Sequence, residues 1–164
     1  MIPKIDLSLE DGVSIDETAF LARVVNILTE AVEIAGLKFR EDAELSLVLA
    51  GDKTLKSLNK EWREIDKPTN VLSFPGKDIA VGETADIMLG DIVISLETTV
   101  REAALENKTF EDHLSHLVVH GFLHLFGYDH ETDEEASQME SLETKILNEL
   151  GIEDPYDANL YEDD

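Results

Sequence analysis

The chain has 164 residues, no cysteine, 43% apolar residues and a formal charge of −24 from 13 basic and 37 acidic side chains. That length suits one domain with its own core, and the missing cysteine excludes a disulfide framework and a thiolate metal site. The acid argues against electrostatic capture of a polyanion, no apolar run nears the roughly 18 residues of a membrane span, and the start MIPKIDLSLEDG lacks the form of a signal peptide, so a soluble cytoplasmic protein is expected.

Ile5, Leu7 and Leu9 alternate and predict a first strand, turned at Glu10, Asp11 and Gly12. A helix follows from about Asp16 to Ala35, with Phe20, Val24, Ile27, Leu28 and Ala31 at three- and four-residue spacing and Gly36 at its end. Residues 44–50 (ELSLVLA) read as the second strand. Asp52 is expected to cap the next helix, whose apolar stripe is Leu55, Leu58 and Trp62, and Pro68 closes that segment. A third strand, VLSFP at 71–75, stops at Pro75, and an acidic, glycine-containing loop runs to Asp86. LGDIVIS at 89–95 is the fourth strand. Ser95 and Thr109 are placed to cap two helices, one over about 96–106 and one through His113, Leu117, His120 and His124 to Phe126. Gly127 ends the second of these, and a last helix spans about Asp133 to Leu150. Three final helices cannot all lie between strands, so the order predicts an α+β fold with a small mixed four-stranded sheet packed with helices. One domain is expected over 1–152, followed by an acidic tail over 153–164.

The charge is unevenly spread. Residues 53–77 hold six bases against three acids, a net of +3, whereas residues 131–164 hold 13 acids and only Lys145. The acidic end reads as a solvated helix face and a frayed tail.

All five histidines fall between 113 and 130. His120 and His124 stand four apart, on one helix face. His116 continues the series, but at about 1.5 Å of rise per residue it lies about 12 Å along the axis from His124, too far to share an ion whose bonds are about 2 Å. His116 is therefore expected as a partner behind the ligands or a buried, hydrogen-bonded side chain, and His113 as an exposed side chain. Gly127 lets the chain reverse, which returns His130 to the face of His120 and His124. Three imidazoles leave an open position on zinc, the arrangement of a catalytic site. The spacing is that of the protease motif H-E-x-x-H-x-x-G-x-x-H, with Gly121 in place of its glutamate base. Either the ion is structural, or its chemistry needs no carboxylate there. Peptide hydrolysis must hand a proton to an amine and suffers badly from the loss. Phosphodiester cleavage depends on it less and needs instead a cation for the charge on the transition state. Arg63 is the candidate for that role, although an arginine ending a helix also satisfies carbonyls or pairs with a neighbour such as Asp66. Asp129, beside His130, either orients water or a ligand ring or caps the turn.

HGFLHLFGYDH (120–130), NKEWREIDKPTNVLSFP (59–75), LGDIVIS (89–95) and ASQMESLETKIL (136–147) together resemble the YbeY family of bacterial rRNA maturation factors, over roughly residues 45–148. The resemblance implies a small α+β domain. It implies a single-strand-specific endoribonuclease with one Zn²⁺, acting on the 3′ end of small-subunit (16S) rRNA and in ribosome quality control. The family's metal ligands fall on His120, His124 and His130, and its activity-linked arginine on Arg63. The acidic tail lies outside the shared pattern, and with the charge of −24 it favours recruitment by a basic partner such as a ribosomal small-subunit protein. The rival expectation is a non-catalytic assembly factor with a structural metal, docking on ribosomal proteins or an assembly GTPase.

Overall fold

In the computed structural model, which describes residues 1–156, the alternating leucines of β2 (Glu44–Ala50) set the centre of the molecule. Leu45, Leu47 and Leu49 are fully buried on one face of the sheet. Strand β1 (Lys4–Leu9) pairs parallel with β2 on one side and β4 (Met88–Ser95) pairs parallel on the other. The edge strand β3 (Val71–Pro75) runs antiparallel to β4, giving the order β1-β2-β4-β3. Five helices complete the described residues: α1 (Glu17–Ala35), α2 (Asp52–Arg63), α3 (Leu96–Leu105), α4 (Phe110–Leu125) and α5 (Asp133–Glu149). The mixed four-stranded sheet and its helices form the expected α+β fold.

The main core joins that leucine face to α1, α4 and α5. Helix α4 is buried nearly all round, with Leu114, Leu117, Val118, Val119, Phe122, Leu123 and Leu125 in the core, so packing on several sides fixes it in place. A smaller cluster of Ala50, Leu55, Leu72 and Val93 lies under α2. Among the described residues no helix is long and apolar enough to cross a membrane.

Side-chain caps stand where the sequence puts them at Ser95 and Thr109, Asp16 caps α1, and Thr132 adds a capping box with Glu135 at the start of α5. Two expectations fail around α2. Asp52 is not its cap: Gly51 holds that position, and the Asp52 carboxylate instead accepts from Ser95 Oγ (2.6 Å) and Thr98 Oγ1 (2.5 Å) and pairs with Arg101 at 2.8 Å. Charged and hydroxyl partners from β4 and α3 take this carboxylate, while the Gly51 and Asp52 N–H groups donate to Glu10 and Glu97. Trp62, assigned to the apolar stripe, is 65% exposed. The core under α2 ends before its last turn, where Trp62 meets Phe74 edge-on with ring centroids 6.1 Å apart.

Residues 153–156 lie against α5. The Asp154 carboxylate accepts from Thr144 Oγ1 (3.1 Å), and the Tyr156 hydroxyl donates to Glu143 (2.6 Å). The remainder of the expected acidic tail, 157–164, lies outside the described residues.

Candidate metal centre and cleft

One helical turn brings His120 and His124 together with their Nε2 atoms 3.0 Å apart. Gly127 then turns the chain at φ 95°, so tightly that a Cβ there would stand 2.5 Å from the Ile79 carbonyl oxygen. Glycine alone meets both demands, and the turn returns His130 to within 5.1 Å of the His124 ring and 5.6 Å of the His120 ring. One nitrogen from each of the three rings lies within 4.8 Å of the other two. Tetrahedral zinc with bonds of about 2.0–2.1 Å sets its nitrogens about 3.3 Å apart, so the donor set fits such an ion with small ring movements.

The opposite nitrogens are already occupied. His124 Nδ1 donates to the Tyr128 carbonyl at 2.8 Å, and His120 Nδ1 faces Glu143 Oε2 at 2.9 Å. Each contact puts the proton on Nδ1 and leaves Nε2 as the lone-pair donor. Burial, aided by the neighbouring His120 and His130, pulls the His124 pKa down to about 4, so this ring is neutral and ready to ligate at neutral pH. Asp129 accepts from the His130 backbone N–H at 2.8 Å and so holds the turn.

Sequence reading missed Glu143. It is fully buried, with Oε2 on His120 and Oε1 on both His116 Nε2 (2.6 Å) and the Tyr156 hydroxyl. Burial works to raise its pKa, but hydrogen bonds from His116 and His120 prevail and hold it at about 2. Its signal was available, since it shares the buried stripe of α5 with Met139, Ile146 and Leu147, where a carboxylate needs a partner. His116 stands behind the ligands as expected, its pKa lowered first by burial. His113, expected on the surface, is 3% exposed. Glu102 reaches its Nε2 at 2.8 Å while also accepting from Asn70 at 2.9 Å, and these nonlocal partners make its burial tolerable.

Gly121 has a packing reason. A Cβ at this position would lie 2.8 Å from Ile92 Cγ2 and 3.1 Å from Ser73 Oγ, and Ser73 donates to the Gly121 carbonyl at 2.9 Å. The sheet fills the place where a protease carries its glutamate.

Arg63 ends α2 and lines the same cleft as His120, His124 and His130, a hollow of about 1270 Å³. Asp66 pairs with Lys56 at 4.0 Å, and among the described residues Arg63 has no salt bridge. Glu64 in the left-handed region (φ 59°) bends the chain just beyond it, and buried Asn59 pins the following loop through the Lys67 carbonyl (2.9 Å). Four carboxylates also line the cleft, on Asp78, Asp91, Asp129 and Glu131.

A sequence profile described as Endoribonuclease YbeY matches residues 6–151. The Endoribonuclease YbeY of Sinorhizobium fredii is 52% identical over 157 residues, covering 93% of this chain and 91% of its own. That of Agrobacterium fabrum is 51% identical over 162 residues, covering 93% and 94%. A protein of Thermotoga maritima with a known solution structure is 26% identical, with a TM-score of 0.56 over 99% of this chain and 97% of its own.

Proposed function

We propose, since this chain belongs to the YbeY endoribonuclease family, that it is a cytoplasmic, single-strand-specific and zinc-dependent endoribonuclease acting late at the 3′ end of 16S rRNA and in ribosome quality control. The observation that carries this reading is that Arg63 and the three convergent imidazoles line one cleft. In it, His120, His124 and His130 hold one Zn²⁺. Such an ion supplies Lewis acidity toward a phosphoryl oxygen and makes water more acidic.

The protein's own groups do the rest. Glu143 and the Tyr128 carbonyl keep the His120 and His124 rings oriented, with the proton on Nδ1. Arg63 clamps the scissile phosphate and offsets the charge that grows on its oxygens. With Gly121 closed off by Ile92 and Ser73, helix α4 supplies no carboxylate base. That suits phosphodiester cleavage, in which the substrate's phosphate or 2′-hydroxyl takes part, better than peptide hydrolysis. Small-subunit ribosomal proteins or an assembly GTPase are the partners proposed to bring so acidic a chain to RNA.

The test is cleavage of single-stranded RNA by stringently purified protein, with metal content measured alongside. Arg63→Ala should retain its metal and lose about 10²- to 10³-fold in rate. Cleavage at the wild-type rate in Arg63→Ala would remove the phosphate clamp. Activity that survives in His124→Ala marks a contaminating nuclease. It would leave the second reading, a non-catalytic assembly factor with a structural metal, which the charge of −24 and the four cleft carboxylates favour.

A further inference from the structure

We propose that Trp62 is a stacking platform for an unpaired nucleobase of the RNA, next to the phosphate bound by Arg63. The assignment rests on the nuclease reading above and adds how the substrate strand is held.

Trp62 is a large apolar side chain left 65% exposed, and it lines the cleft that holds the three histidines and Arg63. Met88, Val100 and Leu105, also exposed and apolar, do not line it. The indole is braced: Phe74 of β3 meets it at 61°, an edge contact that steadies the ring without stacking on its face. Trp62 and Arg63 are consecutive in the last turn of α2, so a base on one and a phosphate on the other belong to the same short stretch of strand.

Charge points the same way. The cleft carries the Arg63 guanidinium against the carboxylates of Asp78, Asp91, Asp129 and Glu131. A surface of that sign cannot hold a polyanion by many phosphate contacts. A nucleobase is uncharged, and stacking on an aromatic ring is indifferent to sequence, at about 1–3 kcal/mol per base. A base inside a duplex has both faces covered by its neighbours and cannot use the platform, so a preference for single strands follows from the same contact. With Arg63 the one basic side chain lining the cleft among the described residues, binding should depend only weakly on salt, since each phosphate contact on a single strand contributes a slope of about −0.7.

Trp62 is the chain's only tryptophan, so its emission reports on this contact alone. The intact, metal-loaded protein mixed in stopped flow with a single-stranded oligoribonucleotide should show quenching before cleavage. A fully paired two-strand duplex, or an abasic oligomer of equal length, should leave the emission unchanged. Trp62→Ala should raise KM roughly tenfold with kcat little altered, and Trp62→Phe should recover most of the loss. Because the side chain is largely exposed, the alanine variant should keep its fold and its metal. RNA cleavage by the intact protein without quenching, together with an unchanged KM in Trp62→Ala, would overturn the platform and hand the indole to a protein contact. If the intact protein does not cut RNA, the nuclease reading fails by itself. The quenching, which needs no turnover, still decides the platform.

Discussion

Helix α4 is tied to α3 through His113 and Glu102, and to α5 through His116, His120 and Glu143. Both ties join imidazole to a carboxylate below the surface, yet they leave different nitrogens available. His113 and His116 are held by Nε2, and their Nδ1 atoms are buried without a hydrogen-bond partner among the described residues. His120 and His124 are held by Nδ1, which turns their Nε2 atoms toward each other at 3.0 Å. The nitrogen taken by the partner separates rings that only fasten helices from rings that keep Nε2 turned toward an ion site, His120 doing both. Residue type and spacing alone do not make that distinction.

Substitutions on the two sides should therefore part company. The largest difference is expected between His124→Ala and His113→Ala. The first should lose the metal and RNA cleavage together, while the second keeps one metal per chain and loses about 1–3 kcal/mol of stability, as read by metal analysis and urea unfolding. Next, Glu143→Gln should weaken metal affinity about 10- to 100-fold, measured by competition with a chelator. Glu102→Gln should leave that affinity unchanged, and equal weakening in both would erase the contrast. Gly121→Ala, between the two ties, should cost about 1–3 kcal/mol because Ile92 and Ser73 have to shift. A midpoint equal to wild type would show the sheet to be more yielding than its spacing implies.

The smallest effect concerns acid. The hydrogen bond from His113 holds the Glu102 carboxyl below its ordinary 4.5, with Asn70 and Lys108 assisting against the effect of burial. A carboxyl lowered by folding stabilises the protein above its unfolded pKa, and that contribution is lost as pH falls through the folded value. The stability gap between wild type and Glu102→Gln should thus be widest above about pH 4.5 and narrow below it. A gap that stays constant through that window would detach the pairing from stability.

The sheet, the helices and the three proposed ligands were legible because they follow local rules. Leucine alternation in β2, four-residue spacing in α4 and a glycine at the reversal each act within a few residues. What escaped depends on partners far along the chain. His113 is buried because Glu102 comes to it from α3, itself held by Asn70 just before β3, and Asp52 left its cap for Ser95, Thr98 and Arg101. Glu143 was hidden by composition, as one acid in an acidic helix, although its position on the buried stripe set it apart. Trp62 misled in the other direction, since its spacing fits a core that stops one turn short of it.

The closeness of helix and sheet at Gly121 also limits what this scaffold can be made to do. To install a protease's glutamate there, an engineer would first have to hollow out two strands, trimming Ile92 and removing the Ser73 hydroxyl that bonds the Gly121 carbonyl. Each cut would loosen the wall that holds α4, and with it the histidines the new glutamate was meant to serve. The chemistry open to this helix is thus restricted by two sheet side chains before any catalytic group is chosen.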